Sequence, residues 1–228
     1  MSELGQRYRS VVEKIASAAE STNRDSEQIT LVVVTKNHPD QLVYDLLALG
    51  ARDFGENRDQ EAGPKAKQIA AESSERFNWH FIGQLQTNKV KSVLEYADFL
   101  HSLDRPSLLD ELQKRTTERE NALKVFVQVN MTEDPERGGV NLEDLMPFAE
   151  RVLSSPGLEL VGLMGVGGLG VNPEREFERM AELSGKLQAI APEANKLSMG
   201  MSGDFETAIA YGATHLRIGT AITGNRPT

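Results

Sequence analysis

Short, wholly apolar runs alternate along the chain with longer segments that carry a single apolar stripe. The first clear run is residues 29–36, ITLVVVTK, which shows no polar alternation and ends in a lysine. A run of this kind suits a strand buried on both faces. Ahead of it, Leu4, Tyr8, Val11, Val12, Ile15 and Ala19 recur with helical period across residues 2–21. That stripe predicts an extra amphipathic helix, expected to cover one end of the domain. Behind it, Pro39-Asp40 opens a helix whose apolar side is Leu42, Val43, Leu46 and Leu47, and Gly50 stops it.

The rhythm then repeats. Further strands are predicted at residues 51–55, 78–83, 97–103, 123–131, 158–165, 196–199 and 214–219. Helices are predicted at 58–73, at 86–94, after Asp104 as cap with Pro106 in the first turn, at 142–153 behind an Asn141 cap, at 173–190 and at 203–211. Eight strands, the first seven each followed by a helix, predict a parallel sheet. In 228 residues with no Pro/Ser-rich linker, the class is α/β and the architecture a (β/α)8 TIM barrel with an extra N-terminal helix. Residues 1–228 are expected to form a single domain. An open, doubly wound sheet is the alternative.

Composition narrows the chemistry. A formal net charge of −9 and a pI near 5.1 argue against a nucleic-acid partner held by broad electrostatics. The absence of cysteine excludes disulfides, thiolate catalysis and Cys-ligated metals. No apolar run has the length needed to cross a bilayer, and the N-terminus lacks a signal-peptide core. A cytoplasmic protein without a membrane partner is expected.

In a barrel the strand ends converge, so their polar residues are read together. They are Lys36, Glu56-Asn57, residues 80–83, Asn130, Gly165, residues 199–202 and residues 217–220. A lysine at the rim of a dry barrel loses solvation, and its neutral amine condenses with aldehydes. Ser202, expected to begin a short helix, and Gly219-Thr220 at the end of strand eight match the place where barrels hold phosphate. Arg217 alternates with Leu216 and Ile218 and therefore points away from them; near the barrel top it either approaches a bound ring or is a surface residue paired with an acid. His80, inside WHFIG, reads as a satisfied core histidine. The four histidines, at 38, 80, 101 and 215, lack metal-ligand spacing. GVGGLG at 165–170 matches a dinucleotide fingerprint only superficially and reads as a barrel loop. Glu56, Asp59, Glu61, Lys65 and Lys67 read as a solvated helix face.

Several motifs in order carry a family likeness. They are VTK at 34–36, FGEN at 54–57, WHFIGQLQTNK at 79–89, LSMGMSGDFETAI at 197–209 and RIGTAITGNR at 217–226. With them the chain resembles the pyridoxal phosphate homeostasis proteins, also called YggS-like or PROSC-like, over nearly its whole length. The resemblance implies a barrel related to the N-terminal domain of alanine racemase. It implies pyridoxal 5′-phosphate held on Lys36 as an internal aldimine, with Ser202, Gly219 and Thr220 at the phosphate, Arg217 at the pyridine nitrogen and Asn57 beside the ring. The chain departs from the family pattern at Thr223-Gly224, where an aromatic often precedes the glycine, and in its glycine-rich 165–170 segment.

The implied function is intracellular cofactor homeostasis: a carrier without efficient turnover that passes pyridoxal phosphate to apoenzymes, as a monomer or weak dimer. No segment after Thr228 supplies the second β domain of the related enzymes. The rival readings are a small fold-type III racemase or lyase, and a Schiff-base aldolase using Lys36 without cofactor.

Overall fold

The alternation of strands closes on itself. The computed structural model describes residues 2–117, 119, 121–132, 138–167 and 172–224. Its strands are β1 (Thr30–Val34), β2 (Asp53–Glu56), β3 (Asn78–Phe81), β4 (Phe99–Leu103), β5 (Leu123–Val129), β6 (Leu158–Gly165), β7 (Lys196–Ser198) and β8 (His215–Ile218). All neighbours are parallel and the order runs β1 to β8 around a closed barrel. Closure is made by β1 on β8, with Thr30 opposite His215 and Val33 opposite Ile218. That pairing rules out the open sheet.

The helices are α1 (Glu3–Ser21), α2 (Gln41–Ala48), α3 (Asp59–Glu72), α4 (Val90–Val93), α5 (Pro106–Thr116), α6 (Leu145–Leu153), α7 (Pro173–Ile190), α8 (Phe205–Ala210) and α9 (Thr220–Thr223). Sequence and structure differ mainly at helix starts. Helix α5 begins at Pro106 behind Arg105, and Asp104 does not cap it; the Asp104 carboxylate accepts from Arg105 at 2.5 Å instead. Helix α6 begins at Leu145, because Asn141 starts a turn in which its carbonyl accepts from Asp144 N–H. The segment predicted as helix 86–94 is a 3-10 turn, Thr87–Lys89, followed by the single turn of α4. Helix α9 has no counterpart in the sequence reading, since four residues are too few to show a period. Helix α1 packs against α8 and α9.

Two apolar clusters result. Outward residues such as Phe54, Trp79, Leu100, Val125, Leu163 and Leu216 form one large cluster with the helices, which Val11, Ile15 and Ala19 of α1 join. Inside the barrel lies a small separate cluster of Phe126, Val161 and Met164, with Phe99 packed on it. Polar side chains share the interior with them. His80, His101, His215 and Arg217 are all buried there. His80 stacks on Phe99 with ring centroids 4.3 Å apart, and His101 lies 4.4 Å from Phe126. Residues 168–170 of the glycine-rich segment and 225–226 at the end of the last motif lie outside the described residues.

Candidate functional site

Strands β7, β8, β1 and β2 are consecutive staves, so the residues leaving their C-terminal ends share one sector of the rim. Lys36 follows β1 in a tight turn and is half-buried. Its neighbour Thr35 is pinned three ways. Thr35 N–H donates to the Gly55 carbonyl at 3.0 Å, its hydroxyl donates to Glu56 Oε1 at 2.8 Å, and its carbonyl accepts from Lys65 Nζ at 3.1 Å. The next residue, Asn37, has a φ of 60° and donates its N–H to Glu61 Oε2 at 3.0 Å. The backbone that carries Lys36 is therefore fixed on both sides. Among the described residues no carboxylate forms an ion pair with Lys36.

The charged run after β2 is not a solvated face. Glu56 belongs to the strand, is fully buried, and bonds Lys65 Nζ at 2.6 Å. Lys65 and Asp59 are buried as well, and Asp59 accepts from the Ser92 hydroxyl at 2.8 Å. Only Lys67 is exposed as expected, while Glu61 is half-buried beneath the Lys36 turn. Burial pushes the Glu56 carboxyl up, against the pull of Lys65 and of its two hydrogen bonds.

Asn57 follows β2 directly. Its Oδ1 is buried and has no hydrogen-bond partner among the described residues, an arrangement that costs free energy unless a ligand donates to it. Gly83, just beyond β3, packs onto the same residue: a Cβ there would lie 2.2 Å from the Asn57 carbonyl oxygen. The glycine of WHFIG is thus needed for the loop after β3 to lie against Asn57.

Ser202, Gly219 and Thr220 come together. Thr220 Oγ1 donates to Ser202 Oγ at 3.3 Å, and Ala221 N–H reaches the same oxygen at 3.3 Å. Gly219 is the N-cap of α9, and a Cβ on it would touch Val34 of β1 at 3.4 Å. Ser202 itself does not begin a helix. It sits in a turn, and Asp204 is the N-cap of α8.

Arg217 is not on the surface, and it forms no ion pair among the described residues. It points into the barrel, where Nη1 donates to Ser198 Oγ at 2.6 Å and Nη2 to the Gly165 carbonyl at 2.8 Å. Desolvation draws its pKa down from 12.5 to about 10, with the field of Asp204 opposing. An arginine remains cationic at neutral pH even so.

Residues 10–227 of this chain match the alanine racemase, N-terminal domain family. The pyridoxal phosphate homeostasis protein of Mycobacterium leprae is 37% identical, covering 98% of this chain and 93% of its own. That of Escherichia coli K12 is 35% identical, covering 99% and 98%. This chain belongs to the pyridoxal phosphate homeostasis protein family. Among solved structures, PipY of Synechococcus elongatus with PLP bound superposes with a TM-score of 0.80 at 32% identity, over 92% of this chain and 100% of that one. Alanine racemase of Corynebacterium glutamicum shares the fold, with a TM-score of 0.68 at 15% identity over 95% of this chain and 61% of the enzyme.

In this family member the sequence reading missed a set of interior residues. His80 Nε2 meets Asp53 Oδ1 at 2.9 Å, His80 Nδ1 meets His101 Nε2 at 2.9 Å, and His101 Nδ1 meets Ser198 Oγ at 2.7 Å. The available signal was strand parity. His80, Ser198 and Arg217 alternate with apolar neighbours on both sides, and Asp53 and His101 each have one, Phe54 and Leu100. His80 is a satisfied core residue, but of the barrel interior. No group of His, Cys, Asp or Glu among the described residues has the geometry to hold a metal.

Proposed function

We propose that this protein binds pyridoxal 5′-phosphate at the ends of β7, β8, β1 and β2, holds it through Lys36, and hands it on to apoenzymes. The cofactor supplies an aldehyde, a phosphate and an electron-withdrawing pyridine ring. The residues fit those three groups. Lys36 offers an amine with no carboxylate salted to it. Ser202 and Thr220 offer paired hydroxyls, and Gly219 leaves room for backbone N–H groups to approach an anion. The unpartnered Asn57 Oδ1 faces the same sector. The observation that carries the reading is the meeting of the Ser202 and Thr220 hydroxyls at 3.3 Å, on the staves beside that of Lys36.

Arg217 bears on what the protein does with the cofactor. A guanidinium is not an acid in the neutral range. Placed at the pyridine nitrogen it leaves that nitrogen unprotonated, which makes the ring a poor acceptor of electrons. The site therefore suits retention and transfer better than rapid amino-acid chemistry. The work is assigned to one barrel domain acting as a monomer or weak dimer in the cytoplasm.

Two measurements test this. Titration with pyridoxal 5′-phosphate should produce a yellow protein of one cofactor per chain. Mixing the loaded protein with the apo form of a pyridoxal phosphate enzyme should restore that enzyme's activity faster than the cofactor dissociates into buffer containing a scavenger. Failure to restore it would remove the transfer role and leave storage.

A further inference from the structure

Arg217 poses a problem of charge. It is a guanidinium buried in a barrel interior, and no carboxylate among the described residues contacts it. A buried cation without a counter-ion is costly unless dipoles or a remote charge compensate it. The compensation can be traced bond by bond. Arg217 Nη1 donates to Ser198 Oγ at 2.6 Å, so the Ser198 hydroxyl proton is turned away from the cation. The polar atom facing it there is His101 Nδ1 at 2.7 Å. With His101 accepting on Nδ1, its proton lies on Nε2 and is donated to His80 Nδ1 at 2.9 Å. His80 then carries its proton on Nε2 and donates it to Asp53 Oδ1 at 2.9 Å. Every donor in this run points from Arg217 towards Asp53. Asp53 is held ionised, since the bonds from His80 and Asn78 outweigh its burial.

We propose that Ser198, His101, His80 and Asp53 are positioning residues for Arg217: one directed chain of hydrogen bonds that carries counter-charge from the foot of β2 to the top of β8. None of the four is assigned to the cofactor. The chain crosses the barrel interior from Ser198 of β7 through His101 of β4 and His80 of β3 to Asp53 of β2. The charged and titratable groups that act on Arg217 and the chain from the elements around them include Asp204 and His215, Lys196 beside His215, Asp98 near His80 and Tyr8 near Asp53. The arrangement fixes the guanidinium in place and in charge. Its consequence for the cofactor rests on the reading given above, in which Arg217 lies at the pyridine nitrogen.

The rival arrangement of protons is equally definite. His101 could carry its proton on Nδ1, donate to Ser198, and accept on Nε2 from a doubly protonated His80. Ser198 would then accept twice, and the chain would point both ways from His80 with no run to Asp53.

Long-range 1H–15N spectra of the free protein, labelled at histidine, distinguish the two. The expected result is a neutral His101 protonated on Nε2. In Asp53→Asn the ring nitrogens of both His80 and His101 should shift, although residue 53 does not touch His101. A His101 protonated on Nδ1, or a His101 unmoved in Asp53→Asn, would overturn the chain. If Asp53→Asn does not fold, the wild-type tautomer still decides, and Ser198→Ala breaks the chain from its other end.

With pyridoxal phosphate added, the pH midpoint of the bound cofactor's absorption should move by about one unit in both variants, the effect of one lost charge-assisted hydrogen bond. An unmoved midpoint in a folded, yellow variant would sever the chain from the ring. A wild-type protein that stays colourless would instead refute the cofactor reading, while the histidine spectra would still judge the chain.

Discussion

Two lysines stand at the same corner of the barrel and are treated oppositely. Lys65 is sealed beneath the rim, bonded to Glu56 Oε1 at 2.6 Å and to the carbonyl of Thr35 at 3.1 Å. Lys36, the very next residue to Thr35, is on the open rim with no carboxylate partner among the described residues. The difference teaches how a rim lysine is kept available. Glu56 adjoins Asn57 and the site, and an unpaired carboxylate there would capture Lys36. Lys65 occupies it from the other side. The same division holds more widely. Below the rim, His101, His215 and Arg217 are buried; on the rim, Asn57 Oδ1 lacks a partner among the described residues and the Ser202 and Thr220 hydroxyls meet, the atoms we propose for a ligand.

The comparison is broken most severely at Lys65. Lys65→Met leaves Glu56 buried and uncompensated, and should destabilise the fold by about 3–5 kcal/mol. Denaturant unfolding checks it. The double variant Glu56→Gln, Lys65→Met should recover most of that loss, because it removes both charges. If the single change costs under about 1 kcal/mol, the pair is not the sealed anchor described here.

The sealed side should also fail first in acid. His215 is buried and its pKa falls from 6.5 to about 3, chiefly by desolvation; that of His101 also falls well below the ordinary value for the same first reason. Both are neutral when folded but take up protons when unfolded. Their contribution is therefore complete above the unfolded value of 6.5 and is lost as the pH drops towards the folded values. Each should lower stability by about 1.4 kcal/mol per pH unit over that window. Unfolding curves at stepped pH measure the slope. His215→Phe should reduce it, and an unchanged slope would show that the ring is not kept neutral.

The open side is probed by ligand rather than by stability. Ser202→Ala and Thr220→Val should each weaken pyridoxal 5′-phosphate by about 10–150-fold, the worth of a hydrogen bond of about 1.5–3 kcal/mol to a charged group. Binding of unphosphorylated pyridoxal should hardly change. Equal losses for both ligands would take these hydroxyls out of the phosphate role. The smallest effect is expected at Lys36 itself: Lys36→Ala should alter stability by no more than about 0.5 kcal/mol, in contrast to Lys65.

Much of this was legible in the sequence, and what was not has a physical cause. Strand β6 and helix α7 appear with the bounds predicted for them, because a largely apolar run ending in glycine and a proline-started helix are strong local signals. The caps proposed at Asp104 and Asn141 failed, since each side chain or backbone found a nearer partner in a turn. The candidate residues 36, 57, 202, 219 and 220 at the rim, and 217 beneath it, could be proposed from motif order. The sealed pair could not. Spacing along α3 puts Lys65 among polar neighbours, and only the approach of β2 buries it. The interior histidines were scattered along the chain, at 80, 101 and 215, and only barrel closure brings them together.

The central claim is that Lys36, and not its buried neighbour, holds the cofactor. It is tested most directly by loading the protein with pyridoxal 5′-phosphate, reducing with borohydride, and mapping the modified peptide by mass spectrometry. The account predicts one phosphopyridoxyl group per chain on the peptide containing Lys36, absent from Lys36→Ala. A reduced adduct on Lys65 or any other lysine, with Lys36 unmodified, would contradict it.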